Sequence, residues 1–399
     1  MKLAPAILVM TLLLLTAATA QTFKVFYTFS GSDGSFPNGD LLRDSAGNFY
    51  GTAQFGGASN RGVVFKLDSK GQHTTLYSFT GGADGGIPIG RVIRDQAGNL
   101  YGMTSLGGDP TCSCGTVFKL KPNGTLTVLH NFTGGKDGAQ NQAQPELGLV
   151  SIGGNFYGST SFGGVAGCDG NLGCGLVFKV TPSRKETVLY RFAGRIDGAF
   201  PQDLTSDQAG NLYGTTGGSY LQGHTGTIFK MDTTGKLTNL YTFPGGAPGN
   251  SPRWHLIRHA NGTFYGVTQF GGNTSTCPVA SAGCGVVYTV NASGKERVLH
   301  TFATKANDGE EPSGGLLDVA GNLYGVTVYG GTKNSTCTFG CGVVYRASTT
   351  GKYAVLYRFT GGADGWLPSG SLTRDSAGNL YGAATLGGTG VGVIFEITP

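Results

Sequence analysis

The chain repeats one short phrase seven times, and that repetition limits the folds open to it more than any other feature. The phrase first reads Asp44-Ser45-Ala46-Gly47-Asn48-Phe49-Tyr50-Gly51-Thr52 and returns at Asp95–Thr104, Gly153–Thr160, Asp207–Thr215, His259–Thr268, Asp318–Thr327 and Asp375–Ala384. Its tyrosines, Tyr50, Tyr101, Tyr157, Tyr213, Tyr265, Tyr324 and Tyr381, lie 51, 56, 56, 52, 59 and 57 residues apart. A period of this size belongs to an array of supersecondary units.

One unit, Asp40 to Ser78, shows the grammar. Leu41-Leu42-Arg43 is a short apolar segment closed by the turn Asp44–Gly47. Asn48–Gln54, Val63–Leu67 and Thr74–Phe79 then alternate apolar and polar residues between Gly, Asp, Asn and Ser turns. Period-two runs bounded in this way are strands joined by hairpins. No stretch after residue 21 sustains a helical period. The expected fold is therefore all-β: a closed seven-bladed β-propeller with four antiparallel strands per blade, spanning residues 21–399.

The last repeat supplies only three strands, Leu372–Arg374, Asn379–Thr385 and Val391–Ile397. Phe23–Phe29 has the pattern of a fourth strand, so the N-terminal strand is expected to complete the last blade. That pairing removes an exposed sheet edge. The competing arrangement, an open solenoid, would call for distinct capping units at its ends.

The units G-N-L-Y-G-T-T, G-V-V-F-K-L and L-Y-S-F-T-G-G-A-D-G resemble the GloVer-type tandem repeat of exported bacterial proteins, over essentially all of Phe23–Thr398. The resemblance implies a propeller and brings no activity with it. Members often carry a C-terminal sorting or anchoring segment; here the sequence given stops at Ile397-Thr398-Pro399, so a soluble protein is expected.

Residues 1–20 read as a secretory signal peptide: Lys2, the apolar run Ala4–Thr16, then Ala18-Thr19-Ala20 as a small-x-small cleavage site. The run is too short for a membrane span, and residue 21 is Gln, so neither membrane insertion after cleavage nor a lipid anchor is expected. The expected location is periplasmic or extracellular. Without Lys2 the chain holds 27 basic and 23 acidic residues, scattered rather than striped, which argues against nucleic acid as a partner.

Turns after first and third strands emerge on one face and are short, whereas loops after second and fourth strands emerge on the other and are long and varied, as at Gly56–Gly62, Gly107–Gly115 and Gly330–Gly342. Insertions confined to one face of an array commonly mark a binding face. All eight cysteines lie there as local pairs, Cys112–Cys114, Cys168–Cys174, Cys277–Cys284 and Cys337–Cys341. In an exported chain such pairs read as disulfides stiffening the face. A zinc site would need four convergent ligands, and the pairs sit in different blades.

Asp33, Asp84, Asp137, Asp197, Asp308 and Asp364 each precede Gly after a fourth strand. They read as turn residues, since a Ca²⁺ loop would supply several oxygens at set spacing. His130 and His300 stand in for a fourth-strand Tyr and read as packing residues. The repeated tyrosines read as inter-blade core with a local hydroxyl partner. Repeat five departs from the pattern with Pro252-Arg253-Trp254-His255, and Trp366 occupies the equivalent loop of repeat seven. Arg253, Trp254, His255 and Trp366 are the candidate ligand-binding residues, placed near the channel mouth on the loop-rich face. Trp254 reads equally well as a wedge between blades.

The sequence holds no HExxH, no GxSxG and no phosphate loop, so no cofactor, metal or catalytic residue is expected. Asp40, Asp203, Glu310 and Glu311 are carboxylates that would make a glycosidase if they converged. The functional expectation is a non-catalytic recognition scaffold for a polysaccharide or a cell-envelope protein. The alternatives are a carbohydrate-active enzyme and a structural envelope protein.

Overall fold

A computed structural model describes residues 21–398, apart from 136, 138–147, 166, 169–171, 195, 219–224, 273–274, 276, 278–281, 316 and 320. The expected signal peptide lies outside the described residues. Within them there is no helix, and seven antiparallel sheets follow one another along the chain. Blade 2 is representative: from axis to rim its strands are Gly86–Arg94, Leu100–Leu106, Thr116–Leu120 and Leu126–Asn131. In blades 1 and 6 the innermost strand is split in two, as Ser35–Pro37 with Leu42–Arg43 and Gly309–Pro312 with Leu317–Val319. Blade 7 takes its outer strand from the other end of the chain. Thr22–Thr28 pairs antiparallel with Val393–Thr398, from Thr22 opposite Thr398 to Thr28 opposite Val393.

The Tyr-Gly pair in each repeat has a packing cause. Gly51, Gly102, Gly158, Gly214, Gly266, Gly325 and Gly382 stand directly opposite Phe65, Phe118, Phe178, Phe229, Tyr288, Tyr345 and Phe395 on the third strand. These rings are fully buried and lie across the glycine. A Cβ on Gly102 would come within 2.6 Å of Phe118 Cζ. The tyrosine beside the glycine faces the next blade, and in four blades its hydroxyl donates to the turn aspartate: Tyr50 to Asp44, Tyr101 to Asp95, Tyr213 to Asp207 and Tyr381 to Asp375. The expected role of these tyrosines holds there.

Seven hydrophobic clusters fill the seven seams, one between each pair of adjoining blades. The seam between blades 7 and 1 joins Tyr381, Ala383 and Ile394 to Leu41, Phe49 and Phe65, which closes the ring. Among the described residues a backbone latch crosses six of the seams. The residue before the inner-strand proline (Phe36, Ile87, Phe200, Ser251, Glu311 or Leu367) has φ between 51° and 58°. This left-handed turn aims its N–H back at the preceding blade. There it donates to the carbonyl of Val391, Arg61, Cys174, Thr225, Cys284 or Cys341, at 2.8 to 3.3 Å. Left-handed backbone costs a bulky residue about 1–2 kcal/mol, and the bond satisfies a polar group that the seam would otherwise bury unpaired.

Gly102→Ala is expected to destabilise the mature protein by about 1–3 kcal/mol in urea unfolding, because the ring of Phe118 has no room to retreat. Adding Phe118→Leu should recover part of that loss. A Gly102→Ala protein as stable as the parent would contradict the packing account.

Candidate functional site

The residues at the axis are put there by irregular inner strands. In blades 1, 2, 5, 6 and 7 the inner strand carries two extra residues against its neighbour, with register shifts such as Ile89/Ile93, Arg253/Ile257 and Ser369/Thr373. Blade 4 carries one extra residue, between Pro201 and Leu204. Bulges re-aim side chains and often border functional sites. In the sequence the positions just before Leu41, Val92, Leu149, Leu204, Leu256, Leu316 and Leu372 are occupied, blade by blade, by Asp40, Arg91, Gly148, Asp203, His255, Gly315 and Ser371. The aliphatic neighbour scarcely varies while this position differs almost every time.

Five of these residues form one network across the channel. Arg91 Nη1 lies 2.7 Å from Asp203 Oδ2, and His255 Nε2 lies 3.0 Å from the same oxygen. His255 Nδ1 is 2.7 Å from Ser371 Oγ and 3.7 Å from Asp40 Oδ1. The Ser371 N–H donates to Asp40 Oδ1 at 2.6 Å. Asp40 and Asp203 are 5 % and 2 % exposed, and burial at that level demands charge partners. Asp203 Oδ1 is buried without a hydrogen-bond partner. The glycines leave room for the others: a Cβ at Gly315 would collide with Ser371 Oγ. No group of three or more metal-ligating side chains occurs among the described residues.

Beyond the network, toward the short-turn face, lies a cavity of about 500 Å³. Leu42, Ile93, Leu204 and Ile257 give it apolar walls, and Asp40, Arg91, His255 and Ser371 line it as well. The axial cavity thus sits at the opposite end of the channel from the loop-rich mouth where the candidate residues are expected.

Of the sequence candidates, the bulge sends neighbours in different directions. His255 joins the axis. Trp254 packs against the hydrophobic cluster in the seam between blades 5 and 6, as a wedge, with its Nε1 buried and unpartnered. Arg253 is exposed, and its charge lies near Glu311. Trp366 packs into the seam between blades 6 and 7. Asp40 and Asp203 converge, with one imidazole between them. Glu310 and Glu311 belong to blade 6, where Lys333 pairs with Glu310, and Gln269 of blade 5 donates to Glu311. Burial raises both carboxyls, against the pull of those partners. Arg91 and Ser371 escape a sequence reading, although comparing the residue before each inner-strand aliphatic would single them out.

On the loop face all four expected disulfides are formed, with Cα–Cα separations of 5.2, 5.1, 5.3 and 5.2 Å. Each is packed into an inter-blade cluster. Three of the half-cystines, Cys174, Cys284 and Cys341, also supply latch carbonyls, so the bridges stiffen seams as well as loops. The Asp-Gly aspartates serve as turn anchors: Asp33, Asp84, Asp197 and Asp364 accept from Tyr27, Tyr77, Tyr190 and Tyr357. His130 and His300 pack edge-on against Phe132 and Phe302 and face Asp137 and Asp308.

Trp254 has φ 70°, where the corresponding bulge residues of blades 2 and 7 are Gly90 and Gly370, at 61° and 75°. Trp254→Gly is therefore expected to be more stable than Trp254→Ala by about 1–2 kcal/mol in thermal or urea unfolding, because only glycine takes this backbone freely. The ordinary order, alanine above glycine, would show that the bulge is not strained.

Solved structures share the fold. The extracellular domain assigned to the hybrid two component system BT3049 of B. thetaiotaomicron aligns with a TM-score of 0.57 at 12 % identity, over 95 % of this chain. That assigned to the one component system BT4673 of the same organism aligns at 0.55 and 14 %, over 94 %. The chain spans 41 % and 42 % of the length of these two. A luciferin-regenerating enzyme is a looser likeness, with a TM-score of 0.46 at 12 % identity over 95 % of both chains. No curated protein matches the sequence. The sequence model of the Gloeobacter/Verrucomicrobia repeat matches residues 11–172, 140–279 and 275–399, and the chain belongs to that family.

Proposed function

We propose that the protein is an exported recognition propeller whose loop-rich face binds a glycan or an envelope protein without itself doing chemistry, in the periplasm or outside the cell. One observation carries this reading. The large apolar side chains exposed among the described residues are Val165, Leu172, Ile196 and Phe339, and all four lie on loops of that face. Phe339 stands 6.1 Å from the ring of Tyr329, which makes an aromatic pair on the rim. Exposed aromatic and aliphatic groups on a braced scaffold suit sugar stacking or protein docking. Four disulfides suit an oxidising compartment. Among the described residues no helix is long and apolar enough to cross a membrane.

The test is calorimetric titration of mature protein, residues 21–399, with a panel of oligosaccharides and purified envelope components. Saturable binding of one class, weakened about tenfold or more by Phe339→Ala and unchanged by Ser371→Ala, is the expected result. Binding that ignores Phe339 would move the site off this face.

A further inference from the structure

We propose that Ser371, His255 and Asp203 form a nucleophile, base and positioning carboxylate at the axis, able to take the acyl group of a small carboxylic ester. This site is independent of the loop-face reading and lies at the other end of the channel.

The argument starts from Asp203. Arg91 Nη1 donates to Asp203 Oδ2 at 2.7 Å, and a carboxylate paired with a guanidinium serves its neighbours as an acceptor. His255 Nε2 lies 3.0 Å from that oxygen, and the carboxylate favours the tautomer that carries the ring proton on Nε2. In the neutral imidazole Nδ1 is then the free lone pair. The group 2.7 Å from Nδ1 is Ser371 Oγ, which must donate to it. A hydroxyl hydrogen-bonded to a base that is itself held by a carboxylate is the general form of an activated serine. Asp40 completes the arrangement by accepting the Ser371 N–H at 2.6 Å, and its charge lies 3.7 Å from Nδ1, where an imidazolium would form.

Five blades contribute these residues. Ser371 and His255 line the cavity of about 500 Å³ whose walls are Leu42, Ile93, Leu204 and Ile257. Those walls suit a short apolar acyl chain. In the reaction Ser371 Oγ adds to the ester carbonyl carbon as its proton passes to Nδ1. The tetrahedral adduct then collapses, the acyl C–O bond breaks, and the leaving alkoxide takes the proton from Nδ1. Water deprotonated by the same Nδ1 attacks the acyl-serine and releases the acid, regenerating Ser371. Every proton and electron pair is accounted for by the ester, water and the three side chains.

The experiment incubates mature protein with p-nitrophenyl butyrate and follows both p-nitrophenol release and intact mass. The expected result is a burst of up to one equivalent and a butyryl adduct that maps to Ser371. Ser371→Ala keeps the N–H to Asp40 and should abolish both. His255→Gln should slow acylation roughly 10²–10⁴-fold. Asp203→Asn should lower the limiting acylation rate while leaving the ester concentration for half-maximal rate unchanged, a split that a purely structural role would not give. No burst from folded wild-type protein, or a burst unaffected by Ser371→Ala, overturns the proposal whatever the loop face binds.

Discussion

The strand Thr22–Thr28 closing on Val393–Thr398 is the pairing on which the rest depends. A propeller blade cannot bury both of its faces alone; it needs a neighbour on each side. With blade 7 completed, every blade has two neighbours, and seven apolar seams form where an open array would leave two faces wet. Closure also fixes the channel. Inner strands separated by more than a hundred residues, such as those holding Arg91 and Asp203, come within hydrogen-bond reach only because the ring returns on itself.

Two devices keep the seams in register. Glycine opposite a buried ring lets the third-strand aromatic lie flat across the second strand, so blades stack closely. The left-handed residue before proline then ties six of the inner strands to the loop of the blade behind them. The disulfides belong to the same system, because in three seams the half-cystine is the latch acceptor. Stiffness on the loop face is thus a consequence of how the ring is held, and it is available to any ligand that docks there.

The repeat made the blades, the closing strand and the cysteine pairs legible, since each is a local pattern in sequence. The turn role of the Asp-Gly residues was legible for the same reason. The axis was not. Its residues sit in bulges, where the two-residue period fails, and blade 4 is one residue shorter there, which hides Asp203 from an alignment on proline. Trp254 and His255, adjacent in sequence, looked like one rim feature; the bulge sends one into a seam and the other into the channel. Arg91 carries no local signal at all, because its partner lies 112 residues away.

The central claim is that ring closure assembles non-repeating side chains from distant blades into one buried network. A double-mutant cycle between Arg91→Met and Asp203→Asn, read as unfolding free energy of the mature protein, tests it most directly. The account predicts a coupling of about 0.5–3 kcal/mol, with each single change more damaging than its share of the pair. Strictly additive effects would mean that the two residues do not meet at the axis.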